Sequence, residues 1–229
     1  MRCERGKLAR AMAHQPTQIT VPSRDGLALA ALLPQGALGA PGVVMLHGAG
    51  SRKENHLDFA ERLADARLWA LVPDLRGHGE TGGQMDAGMP GDVLACLDDL
   101  RARGAGPLGL RGSSMGGFLS LIAAPQHPDV RAVVAICPAR PESLARLFDD
   151  PWPLAHPLAP ATCRDDGIAR GFWHARDDEI VPWQDTFALH SHANQPKHLR
   201  ILMGGHHRSL QHDPVVQGAT VAFLAEHLK

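Results

Sequence analysis

The stretch Leu108-Gly109-Leu110-Arg111-Gly112-Ser113-Ser114-Met115-Gly116-Gly117-Phe118 constrains this chain more than any other. It contains Gly112-x-Ser114-x-Gly116. An apolar segment, Pro107 to Leu110, runs into it, and a helix-like segment, Phe118 to Ala124, runs out of it. A serine between a strand and a helix that reverse so sharply takes a strained backbone conformation, and its hydroxyl is pushed clear of the sheet. The two elements then pass so close that side chains flanking the serine would clash. Glycine at 112 and 116 removes the clash. A plainer reading of the same five residues is a glycine-rich helix start with capping serines.

The order of elements along the chain favours the first reading. Gln18 to Pro22 and Leu27 to Leu33 read as two strands joined at the turn Ser23-Arg24-Asp25-Gly26. Val43-Val44-Met45-Leu46 is wholly apolar, as a strand buried on both faces must be. Strands and helices then alternate. Helical spacing runs over Asn55 to Ala66, and Trp69 to Val72 is a strand. Pro90 to Arg103 is a helix carrying Val93, Leu94, Leu97 and Leu100 on one face. Further strands fall at Val130 to Cys137, Gly171 to His174 and Leu199 to Leu202, with helices at Trp183 to His190 and Val215 to Lys229. This alternation predicts a parallel sheet covered on both faces, with the opening hairpin as an antiparallel edge.

The chain of 229 residues is long enough for one domain with a sizeable core. Residues 1–15 lack periodicity and are expected to be a flexible tail, with Met12 a candidate start. Residues 16–229 are expected to form the single domain. A net charge of −1 gives no strong field for nucleic acid or an acidic membrane. Aromatics are only 4%, with no tyrosine, which leaves little to stack on single-stranded nucleic acid. No apolar run approaches a membrane span, and no apolar signal region follows the basic start. A cytoplasmic location is therefore expected. The four cysteines are scattered, as free thiols would be. Cys137 ends an apolar run and reads as a small buried hydrophobe.

The segment around Ser114 resembles the nucleophile elbow of the α/β-hydrolase superfamily, in particular its serine esterase, dienelactone-hydrolase-like and serine aminopeptidase-like members. The resemblance extends to three more motifs, in that family's order. His47-Gly48-Ala49-Gly50 follows the strand 43–46 and resembles the loop that supplies an oxyanion-hole donor. Asp74-Leu75-Arg76-Gly77-His78-Gly79 resembles the family's D-x-R-G-x-G loop, a structural element. His174-Ala175-Arg176-Asp177-Asp178-Glu179-Ile180-Val181-Pro182 resembles the H-G-x-x-D-x-x-V-P segment carrying the triad acid, with Ala175 in place of glycine. Gly204-Gly205-His206-His207 resembles the loop presenting the triad histidine.

The resemblance implies an α/β-hydrolase fold: a mostly parallel, twisted sheet with an N-terminal antiparallel hairpin, helices on both faces and a short cap, 138–167, after the sixth strand. It implies a catalytic triad of Ser114, Asp178 and His207, in the order of this fold. His206 is the alternative base, and Asp177 and Glu179 are neighbours of the acid. The backbone N–H groups of Ala49 and Met115 would form the oxyanion hole. His47, Phe148 and Trp152 are expected at the substrate pocket. His207 would take the serine proton, and Asp178 would orient and stabilise the imidazole. No cofactor is needed.

The chemistry expected is cleavage of a small or medium carboxylic ester through an acyl-enzyme, with a small-molecule ester as partner. A thioesterase, a peptidase or amidase on the same triad, or a catalytically silent binding member of the fold are the alternatives. A dehalogenase would need an acid at 114. Of the 14 histidines, His198, His206, His207 and His212 gather near the C-terminus, but without HExxH or another ordered ligand spacing, so no metal is expected.

Overall fold

The computed structural model describes residues 16–33, 36–140, 142–144 and 166–229. The expected tail 1–15 and most of the expected cap lie outside the described residues.

Eight strands form one sheet: β1 (Thr17–Pro22), β2 (Ala28–Leu33), β3 (Gly42–Leu46), β4 (Trp69–Pro73), β5 (Leu108–Ser113), β6 (Val130–Ile136), β7 (Ala169–Ala175) and β8 (Lys197–Leu202). Their spatial order is β1-β2-β4-β3-β5-β6-β7-β8. β1 pairs with β2, and β2 with β4, antiparallel; every other pair is parallel. Among the described residues, five complete helices cover the sheet: α1 (Leu57–Asp65), α2 (Met89–Ala102), α3 (Met115–Ala123), α4 (Trp183–His192) and α5 (Pro214–His227).

The period of two along each strand sorts side chains between two cores. On β3, Val44 and Leu46 face the side covered by α2, α3 and α4, with Val93, Leu97, Phe118, Leu119 and Leu189. Val43 and Met45 face the side covered by α1 and α5, with Phe59, Leu63, Val216 and Leu224. β4 and β6 divide in the same way: Leu71, Val133 and Ala135 to the first side, Ala70, Val72, Ala132 and Val134 to the second. Each buried leucine or phenylalanine contributes about 1.5–3 kcal/mol.

The structure departs from the sequence reading at the centre. β5 continues past the apolar run to Ser113, because pairing with β3 reaches Leu46↔Gly112 and pairing with β6 reaches Ser113↔Ile136. Arg111 therefore lies inside a buried strand. α3 begins at Met115, three residues before the apolar spacing shows it, since its first turn is glycine. The result is a strand and a helix joined through Ser114 alone.

Candidate active site

Ser114 has φ 53° and ψ −118°, a left-handed backbone rare outside glycine. Its N–H donates to Ile136 O at 2.9 Å, tying the turn to the end of β6. Its carbonyl accepts from Phe118 N–H at 3.1 Å, which starts α3. A capping serine would turn its hydroxyl back to the first amides of the helix; Ser114 makes no such bond. The flanking glycines are required. A Cβ at 112 would fall on the carbonyl of Gly116, and a Cβ at 116 on the carbonyl of Leu46.

The loop after β3 packs against this turn, so closely that a Cβ added at Gly48 would lie 3.3 Å from Ser114 Cβ. Met115 opens α3, so its N–H is among the helix amides with no intrahelical acceptor. Ala49 lies on the facing loop, and both its neighbours, Gly48 and Gly50, line the same cavity as Ala49 and Ser114. His47, expected at the substrate pocket, is elsewhere. It is fully buried. Its Nδ1 donates to Gly48 O at 2.8 Å and its Nε2 accepts from Leu75 N–H at 3.0 Å, so the ring holds this loop to the one after β4. Burial pushes its pKa down to about 4, with the bond to Gly48 O pulling the other way. Phe148 and Trp152 lie outside the described residues.

The loop after β4 is held by charge. The Asp74 carboxylate accepts from Lys53 N–H and Nζ, both at 2.7 Å, and from Glu80 N–H at 2.8 Å. Arg76 grips Asp92 with two bonds of 2.6 Å and reaches Asp86 at 2.7 Å. These residues brace loops, and none of them lines the cavity at Ser114.

Asp178 sits just past β7 with its side chain fully buried, whereas Asp177 is exposed. Its Oδ1 accepts from Ile180 N–H at 2.9 Å and Val181 N–H at 2.8 Å. Its Oδ2 accepts from His207 Nδ1 at 2.7 Å and lies 3.1 Å from His174 Nε2. Burial works to push this carboxyl up; the bonds from His174, His207 and Val181 outweigh it and hold the group well below the usual carboxylate range. Gly204 and Gly205, both at left-handed φ, turn the loop after β8 so that His207 points inward at 7% side-chain exposure while His206 points out at 75%. With Nδ1 bonded to Asp178, the free basic nitrogen of His207 is Nε2.

Ser114 and His207 line one cavity of about 260 Å³, together with Ser51, Asn55, Ile180, Gln211 and His212. The structure thus brings together Ser114, Asp178, His207, Ala49 and Met115. It separates His206 and Asp177 from them. His212 sits on the cavity wall, paired to Asp58 at 3.0 Å.

Several residues of this region carried no weight in the sequence reading. Gln211 ties the histidine loop to β5: its carbonyl accepts from Arg111 Nη2 at 2.9 Å and its side chain from Ser113 Oγ at 2.5 Å. His174 served there only as a landmark for the acid. Cys137, His174 and Asp178 present ligand atoms within 4.8 Å of one another. His174 Nε2 and Asp178 are, however, already bonded to each other and to the chain, and burial pushes the Cys137 thiol up, away from the thiolate a metal requires.

The sheet order, the elbow at Ser114 and the helices on both faces define the α/β-hydrolase fold. An α/β hydrolase from Penicillium sp. sh18, GrgF, superimposes with a TM-score of 0.79 at 18% identity, covering 93% of this chain and 99% of that one. The family model described as serine aminopeptidase, S33, matches residues 41–157, and the chain belongs to that family. Among curated proteins, a putative esterase, YitV, of Bacillus subtilis (strain 168) is 31% identical over 113 residues, 42% of this chain and 44% of the relative. A thermostable monoacylglycerol lipase of Bacillus sp. (strain H-257) is 31% identical over 102 residues, 43% of this chain and 40% of the relative. The matched region spans less than half the length of each of these relatives.

Proposed function

We propose that this chain is a serine hydrolase that cleaves small or medium neutral carboxylic esters through an acyl-enzyme. The observation that carries the reading is the His207–Asp178 hydrogen bond behind a cavity that His207 and Ser114 both line. Ser114 Oγ attacks the ester carbonyl as His207 Nε2 takes its proton. The oxygen, now negative, is received by the N–H groups of Met115 and Ala49. His207 returns the proton to the leaving alcohol. Water, deprotonated by His207 in turn, then frees the acid and restores Ser114. Asp178 keeps Nδ1 protonated and stabilises the imidazolium. The esterase and lipase names of the two curated relatives favour an ester over the peptide bond that the family's description suggests.

A fluorophosphonate probe followed by peptide mass spectrometry tests the nucleophile. Label is expected on Ser114 and lost in Ser114→Ala, together with several orders of magnitude in turnover. Label on Ser113, or none on an active enzyme, overturns the assignment. A series of p-nitrophenyl esters beside an amino-acyl p-nitroanilide tests the substrate. kcat/KM is expected to rise over the first few acyl carbons, then fall. Turnover of the anilide alone overturns the ester reading.

A further inference from the structure

Asp178 is held by two imidazoles, and only one of them reaches the cavity. The other, His174, lies on β7 with no exposed surface. Its Nε2 is 3.1 Å from Asp178 Oδ2 and 3.0 Å from Val181 O. Both are acceptors, so Nε2 carries a hydrogen in every state of the ring. Its Nδ1 is 2.6 Å from Thr186 Oγ1, on α4. A hydroxyl donates or accepts as needed, so that contact holds whichever way the ring is protonated. The ring is thereby fixed by its strand, by the 181 carbonyl and by α4.

We propose that His174 is a positioning residue for the Asp178–His207 pair, holding Asp178 Oδ2 on the line to His207 Nδ1 and sharing its negative charge. The proposal rests on the reading of Ser114, Asp178 and His207 as a triad. The two amide donors hold only Oδ1. Without His174, the side-chain donors left to the Asp178 carboxylate among the described residues are the weak Cys137 thiol and His207 itself, and His207 must move charge during turnover. An acid whose outer oxygen is oriented chiefly by the base it is meant to orient leaves both free to swing. His174 breaks this circularity, because Val181 and Thr186 fix it independently of the cavity.

The same contact predicts an electrostatic signature. The titratable groups near the pair are Cys137 from the end of β6, Glu179 from the loop after β7, and His206 and His207 from the loop after β8. Of these, His207 donates a side-chain hydrogen to Oδ2 beside His174, and the Cys137 thiol is a weak hydrogen-bond partner of the same carboxylate. Removing the His174 N–H leaves more charge on Oδ2 for His207, so the imidazolium is favoured and the acid limb of kcat/KM moves to higher pH.

The test compares His174→Leu with His174→Gln, whose amide can still donate where Nε2 does. Both are assayed with p-nitrophenyl butyrate from pH 5 to 9. His174→Leu is expected to lose about ten- to a hundredfold in kcat with KM near that of the parent, the worth of a hydrogen bond to a charged group. Its acid limb should rise by roughly half a unit to one unit. His174→Gln should restore kcat to within about threefold and return the limb. Parent kinetics and an unmoved limb in a folded His174→Leu overturn the proposal. So does a loss of activity that only tracks the folded fraction. If His174→Leu does not fold, Thr186→Val removes the hydroxyl alone; a several-fold lower kcat with the same upward limb is expected, and an unchanged profile overturns the proposal. The triad reading fails separately, by absence of fluorophosphonate label on Ser114 in the parent protein.

Discussion

Replacing Arg111 with methionine should leave stability almost unchanged and yet slow turnover. Arg111 is 1% exposed and forms no ion pair among the described residues. Its guanidinium lies 4.0 Å over the Phe59 ring, its Nη2 donates to Gln211 O, and its Nε has no acceptor among the described residues. Burial pulls its pKa down to about 10, with the Asp58 charge opposing. A base whose folded pKa lies below its free value is bound less tightly by its proton when folded, so the full cost is present at any pH below about 10. That cost is about 3 kcal/mol. Methionine removes it, and removes with it one hydrogen bond worth about 1 kcal/mol and a desolvated cation–π contact worth about 2 kcal/mol. Gln211 O keeps Gln217 Nε2 at 3.2 Å. The contributions cancel to within about 1 kcal/mol, a shift of roughly 2–4 °C in Tm for a chain of this size. Function should suffer differently. Arg111 ties β5, which ends at the elbow, to the 3₁₀ turn Leu210–His212 that follows His207. Slack in that tie lets His207 drift from Ser114, and a misplacement of order 1 Å costs up to about a hundredfold. Calorimetry and ester kinetics on Arg111→Met check both halves. A Tm lowered by more than about 10 °C, or a kcat equal to the parent's, refutes the reasoning.

Asp178→Asn should lower kcat roughly 10⁴-fold while Asp177→Asn changes it little, since of the two aspartates it is Asp178 that bonds to the His207 ring; equal small losses would reject the assignment. His207→Ala should abolish turnover and His206→Ala should not, and steady-state kinetics of the pair would expose a register error of one. Stability should fall as pH drops from 6.5 towards 4. Burial lowers the His47 pKa to about 4 and the His56 pKa to about 3, so over that range the unfolded chain binds about two more protons than the folded one. Their contribution is complete above pH 6.5 and is lost at roughly 2–3 kcal/mol per pH unit below it. Urea titrations at pH 7 and 5.5 measure the slope, which His56→Leu should reduce by about half; a flat dependence contradicts the burial of neutral rings.

What the sequence discloses follows from how local each interaction is. Buried parallel strands are legible because they are apolar on both faces, and the turns at Ser114 and Gly204-Gly205 because only glycine fits there. Asp178 is legible because its own loop holds it, through amides two and three residues on. Arg111 is not, because its partner is a hundred residues away. Yet alternation along β5 already assigns its side. Leu108 and Leu110 face α2 and α3, so Arg111 faces α1, where Phe59 meets it. The same rule relocates His47. It continues the face of Val43 and Met45, and its ring stacks towards His56 beside α1, with centroids 6.4 Å apart. Motif spacing says which strand end a residue occupies, and strand parity says which way its side chain leaves. A pocket residue must satisfy both, and His47 satisfies only the first. His174 meets the opposite fate: a motif landmark by spacing, it is turned by its strand onto the back of the acid rather than towards the cavity, where a histidine can orient chemistry without touching substrate.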